Sequence, residues 1–158
     1  MTNYLSRRWF MIVGATGAFA ATPGLAAEHI LSATQAAEKL ARGEIVLLDI
    51  RSRAEWKETG LAEGALPVSL HERGFGEKLQ TILKAYDTDK IAVICATGGR
   101  TAHVVDLLSR NGITGVWDVS EGMMGNNRGP GWIERGMPVV NLDAAEERLA
   151  ETGLFDAD

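Results

Sequence analysis

The chain has 158 residues, a formal charge of −5 and a single cysteine. That length suits one domain with a proper hydrophobic core, and no internal repeat or low-complexity tract suggests a second. The acid excess argues against nucleic acid as a partner, since such binding begins with basic groups on phosphate, and one thiol excludes an internal disulfide.

The first segment, Met1–Ala27, carries Arg7 and Arg8, an apolar stretch from Trp9 to Phe19 and the small-residue run Pro23-Gly24-Leu25-Ala26-Ala27. A basic start, an apolar middle and a small-residue end are the three parts of a bacterial export signal. Ser6-Arg7-Arg8-Trp9-Phe10-Met11 looks like the twin-arginine version. Gly14, Thr16, Gly17, Thr22 and Pro23 interrupt the apolar run, which falls short of the roughly 20 apolar residues of a membrane span. The expectation is a cleaved signal at residues 1–27, a folded domain at 28–158 and a periplasmic location, with the membrane involved only in export. A retained anchor is the alternative, and it also leaves the domain on the far side. Loss of the signal removes two arginines and no acid, so the domain is more acidic than the whole chain.

Ser32-Ala33-Thr34-Gln35 has the spacing of a capping box, which predicts a helix running to about Arg42. Glu44–Ile50 is a continuous apolar run and suits a strand covered on both faces, with Asp49 and Arg51 at its C-terminal end. Leu66–Leu70 is a weaker strand, and Pro67 favours an edge position. Phe75, Leu79, Ile82 and Leu83 recur at helical spacing and predict a helix over Gly76–Ala85. Lys90–Cys95 is a second buried strand, Thr101–Ser109 a helix ended by Asn111-Gly112, and Val116–Val119 a short strand. Strands alternating with helices predict an α/β domain, a mostly parallel central sheet with helices on both faces. Ligands of such sheets bind beyond the carboxyl ends of the strands, and Cys95 stands at one of them.

An unpaired thiol in an exported protein needs a reason to be there. In Ile94-Cys95-Ala96-Thr97-Gly98-Gly99-Arg100-Thr101 a strand runs through a small-residue turn into a helix. Successive backbone N–H groups of residues 96–100 can curl around the sulfur, and the positive end of the following helix adds to them. Such a cradle suits a thiolate or the negative charge of a persulfide. Arg100 can add a formal positive charge or tie the loop to its surroundings.

Cys-x4-Arg between an apolar strand and a helix resembles the active loop of single-domain rhodaneses. Asp49-Ile50-Arg51 with Glu55-Trp56, the turn Gly60-Leu61-Ala62-Glu63-Gly64-Ala65, and Gly122, Trp132 and Gly136-Met137-Pro138-Val139 are similar to further motifs of that family. The resemblance implies a rhodanese-like fold and a sulfurtransferase working through a persulfide on Cys95, with Ala96, Thr97, Gly98, Gly99 and Arg100 binding the sulfur and no metal or organic cofactor. The implied partners are a small sulfur donor and a thiol or cyanide acceptor, with a partner protein as a further candidate. Leu61 stands where the family often has His, and no basic residue precedes Arg100 as in many thiosulfate-using members. Ala96-Thr97-Gly98 is closer to the loop of mercaptopyruvate-using relatives.

Asp49 and Arg51 are expected to form a structural ion pair bracing the sheet's end, rather than substrate contacts. His29, His71 and His103 have no ligand-like spacing, so a metal site is not expected; His103 is expected in solvent, and His71 could reach the rim of the pocket. Glu121–Trp132, rich in Gly and Asn, must be irregular, and long irregular connections beside a strand end often shape pockets. Arg128 in it is the candidate for the anion-attracting charge that the active loop lacks, and Trp132 reads as a packing anchor. Two rivals remain: a carrier module whose Cys95 persulfide serves a partner without turning over free donors, and a cysteine-dependent phosphatase or arsenate reductase. The second needs one more residue between Cys and Arg to seat a tetrahedral oxyanion.

Overall fold

The two apolar runs pair at the centre of the sheet, as β2 (Val46–Asp49) and β5 (Ile91–Ile94), parallel and in register with Leu48 opposite Val93 and Asp49 opposite Ile94. The computed structural model describes residues 29–155; the expected export segment lies outside them. β6 (Trp117–Val119) and β1 (Ile30–Leu31) extend the sheet on one side and β4 (Leu66–Pro67) on the other, in the order β1-β6-β5-β2-β4, every pair parallel. Pro67 sits on the edge strand, where its missing N–H costs no ladder bond. Successive side chains of a strand point to opposite faces. Leu47, Ala92 and Ile94 therefore pack with α1 (Ala33–Ala41), Met123 and Trp132, while Leu48, Ile91, Val93 and Cys95 pack with α3 (Phe75–Ala85) and α4 (Gly99–Arg110). Each fully buried Leu or Ile in these layers contributes ~1.5–3 kcal/mol.

Helix starts follow local hydrogen bonding. The Ser32–Gln35 capping box is formed in both directions at α1. A second one, Ser52 with Glu55, opens α2 (Arg53–Thr59), and Asn141 caps α5 (Leu142–Glu151) by accepting from Ala144 N–H. α4 begins at Gly99, two residues earlier than the apolar pattern suggests, so Arg100 belongs to the helix's first turn. A small cluster of Trp56, Leu61, Leu142 and Ala145 ties α2 to α5 beside a two-stranded antiparallel ribbon, β3 (Leu61–Ala62) with β7 (Val139–Val140). Leu61 is fully buried in it, so the apolar side chain contributes packing where the family's His would need a hydrogen-bond partner. Among the described residues no helix is long and apolar enough to cross a membrane.

Candidate active site

Cys95 is the first residue past β5 and is 1% exposed. The chain then turns sharply into α4, with Gly98 at φ +83° in the N-cap position. That turn brings the Gly98 N–H to 3.2 Å from Cys95 Sγ, which accepts it. Gly99, Arg100 and Thr101 occupy the first turn of α4, where backbone N–H groups have no acceptor within the helix and form its positive end. The Thr101 hydroxyl donates to Gly98 O at 2.9 Å and lies 3.7 Å from Cys95 Sγ. With its proton on Gly98 O, it is an acceptor for the Cys95 thiol, and a turn of the hydroxyl makes it a donor to an anionic sulfur.

The loop is held from behind by the irregular segment after β6. Met123 N–H donates to Cys95 O and Met124 N–H to Ala96 O, at 2.9 and 2.8 Å, and Asn126 Nδ2 bridges Thr97 O and Ser120 O. Gly122 makes this approach possible: at φ +69°, a Cβ would stand 2.4 Å from Ala96 O. Trp132 anchors the far end of the segment, 2% exposed, with Nε1 donating to Pro138 O at 2.9 Å.

Arg100 leans toward α2. Its Nη1 and Nη2 donate to Glu55 Oε2 and Oε1 at 2.9 and 2.5 Å, and Nη1 also meets His71 Nε2 at 3.1 Å. Guanidinium has only donors, so Nε2 accepts and the His71 proton resides on Nδ1. The Arg100 hydrogen bonds hold the Glu55 carboxyl at about 2, against partial burial. Glu55 raises the Arg100 guanidinium in return, with Cys95 adding a smaller effect of the same sign. The positive charge beside the sulfur is therefore largely matched by Glu55. Asp49 and Arg51, both buried, pair at 2.7 Å, and Arg51 also donates to Thr59 Oγ1 and Gly60 O. This pair joins the end of β2 to the end of α2.

Of the candidates named from sequence, Ala96, Thr97 and Gly98 form the turn after Cys95, and Gly99 and Arg100 lie in the first turn of α4; the Gly98 N–H is the one among them that donates to the sulfur. Arg128 is exposed and lines a different cavity, with Asp118, behind α4. His103 is exposed on α4. Glu55, Thr101 and Asn126 complete the site without having been singled out for it. Ser52-x-x-Glu55 and the position of Thr101 right after Arg100 were available as local signals, whereas the Asn126 bridge depends on a fold of the loop that no local pattern specifies.

A parallel α/β domain that presents a lone cysteine between a central strand and the N-terminus of a helix defines a class of cysteine-centred domains. The rhodanese-like domain model matches residues 32–127, and the chain belongs to that family. A rhodanese-related protein of Thermoplasma volcanium is 29% identical, with a TM-score of 0.50 over 71% of this chain and 97% of that one. The polysulfide-sulfur transferase homodimer of Wolinella succinogenes is 27% identical, with a TM-score of 0.51 over 72% of this chain and 78% of that one. An uncharacterised protein of Rickettsia prowazekii is 24% identical over 98 residues, 58% of this chain and 80% of its own length.

Proposed function

We propose that this protein is a sulfurtransferase in which Cys95 carries sulfane sulfur as a persulfide. The observation that carries the reading is the Gly98 N–H donated to Cys95 Sγ at the N-terminal end of α4. Preorganised donors of this kind stabilise charge on sulfur through both half-reactions. In the first, the Cys95 thiolate attacks the outer sulfur of a donor: a sulfur–sulfur bond forms, the donor's bond to that sulfur breaks, and the leaving group departs with the electron pair, as sulfite from thiosulfate. In the second, a thiol or cyanide attacks the outer sulfur of the persulfide, and the Cys95 thiolate leaves. Splitting the transfer in this way replaces one difficult step by two easier ones.

The same geometry disfavours phosphate chemistry. Both terminal nitrogens of Arg100 bond Glu55, leaving Arg100 poorly placed to hold the equatorial oxygens of a transferring phosphoryl group. Kinship to the polysulfide-sulfur transferase supports sulfur transfer as the reaction class. Export to the periplasm by residues 1–27 is part of the proposal and rests on the Arg7-Arg8 pattern.

The test is thiocyanate formation from cyanide with thiosulfate and with 3-mercaptopyruvate, alongside intact mass of protein exposed to each donor. Wild type is expected to gain one sulfur atom and to turn over at least one donor. Cys95→Ser is expected to stay folded and do neither. Sulfur transfer by the Ser variant, or aryl phosphate hydrolysis by wild type with no sulfur transfer, would overturn the reading. Mass gain without turnover of either donor would favour the carrier module.

A further inference from the structure

Glu55 enters the site as a fixed negative charge. Its carboxylate accepts from the Ser52 N–H at 2.9 Å, from the Ser52 hydroxyl at 2.8 Å and from both terminal nitrogens of Arg100. The Ser52 bonds belong to the capping box of α2, so turning the carboxylate away from Arg100 would undo a helix start. Hydrogen bonds from Arg100 and Ser52 hold it ionised, with its carboxyl at about 2. On the other side of the pair, Nη1 of Arg100 divides its two N–H groups between Glu55 and His71, and His71 accepts as a neutral ring. The other arginines of α2 and its flanking connections do not restore the lost charge. Arg51 is buried against Asp49, Arg53 is paired with Glu146 at 2.6 Å, and Arg73 is exposed, where water and salt screen its field.

The positive field left at the sulfur is that of the α4 N-terminus, about half an elementary charge. Cys95 is buried, so little water is at hand to screen like charges brought against it. Thiosulfate carries two negative charges and meets a thiolate that carries a third. We infer that Glu55 is a specificity-determining residue: by cancelling Arg100 it turns the site away from doubly charged thiosulfate and toward singly charged sulfane-sulfur donors with an organic leaving group, the organic persulfides and thiosulfonates. The inference rests on the sulfur-transfer reading. With a thiosulfonate the Cys95 thiolate bonds to the terminal sulfur, the donor's own sulfur–sulfur bond breaks, and an organic sulfinate leaves with the electron pair. With an organic persulfide the same bond breaks and a thiolate leaves.

The experiment compares kcat/KM for thiosulfate and for methanethiosulfonate, with cyanide as acceptor. The second donor keeps the transferable sulfur and replaces one charged oxygen by a methyl group. Wild type is expected to favour methanethiosulfonate by roughly tenfold or more. Glu55→Gln keeps a residue able to close the capping box and leaves Arg100 uncompensated, so it should shift the preference toward thiosulfate by roughly tenfold or more. Arg100→Gln leaves Glu55 uncompensated and should shift it as far the other way, and the double variant should return to within about threefold of wild type. A merely structural role would lower both rates together and leave their ratio in place. An unchanged ratio in Glu55→Gln, or a wild-type preference for thiosulfate, overturns the inference while the sulfur-transfer reading stands. Transfer from neither donor by wild type overturns that reading and the inference with it.

Discussion

Replacing each of two adjacent glycines by alanine separates the shape of the active loop from its composition. Gly98 holds φ +83° and ψ −14°, a left-handed conformation that costs a non-glycine residue ~1–2 kcal/mol. Its Cβ would stand 2.0 Å from Ser120 O and 2.9 Å from the Ser120 carbonyl carbon. These are backbone atoms, and Ser120 is held by its N–H to Leu31 O and by Asn126 Nδ2 on its carbonyl. The obstacle cannot swing aside as the end of a side chain would. Relieving the contact requires a shift of about 1 Å, which breaks either the Asn126 bond or the Gly98 N–H bond to Cys95 Sγ, at ~1 kcal/mol each. Gly98→Ala should therefore lose about 3 kcal/mol, or ~10 °C in melting temperature for a domain of this size. Gly99 opens α4 with nothing within 4 Å of the place a methyl group would take; Gly99→Ala should be neutral or stabilising by up to ~1 kcal/mol. Thermal and urea unfolding measure the first effect and thiocyanate formation the second, with transfer largely lost in Gly98→Ala and kept in Gly99→Ala. Equal stability of the two variants would refute the reasoning.

Arg51→Ala should cost ~3–5 kcal/mol in urea unfolding, because it leaves the Asp49 carboxylate buried and uncompensated. The Glu55 carboxyl, lowered from 4.5 to about 2 by Arg100, contributes stability that is fully present above about 4.5 and lost as pH falls toward 2. Its side chain is 31% exposed, so solvent screening leaves ~1–2 kcal/mol of the shift; urea unfolding at pH 7 and at pH near 3 should show that loss in wild type and its absence in Glu55→Gln. Replacing Arg7 and Arg8 together by Lys should leave unprocessed precursor in the cytoplasm, since Lys lacks the planar guanidinium fork; normal processing on an immunoblot would point to the general secretory route.

Much of the fold was legible because its causes are local. The runs Glu44–Ile50 and Lys90–Cys95 are too apolar to lie anywhere but between two covered faces, and they became the sheet's centre. Ser32 and Gln35 lie close enough in the chain to cap a helix by themselves. α2 and α5 were equally local, with Ser52 and Glu55 at capping-box spacing and Asn141 ahead of Leu142, Ala145 and Leu149, but short helices whose apolar positions are few give a weak periodic signal. The cysteine, its small-residue turn and the first turn of the helix after it were readable for the same reason, as the seven consecutive residues Cys95–Thr101.

The electrostatics were decided by tertiary structure. Arg100 reads from the sequence either as a charge offered to the sulfur or as a tie from the loop to its surroundings, and it is Glu55, 45 residues away in the chain, that meets it at 2.5 Å. Arg128 reads as a neighbour of the active loop, yet the turn from Asn126 to Gly129 carries it to the cavity of Asp118. Spacing along the chain determines what backbone hydrogen bonds can form within a few residues. Which charges face each other depends on how separate elements dock, and the burial that gives those charges their strength exists only once the core has closed.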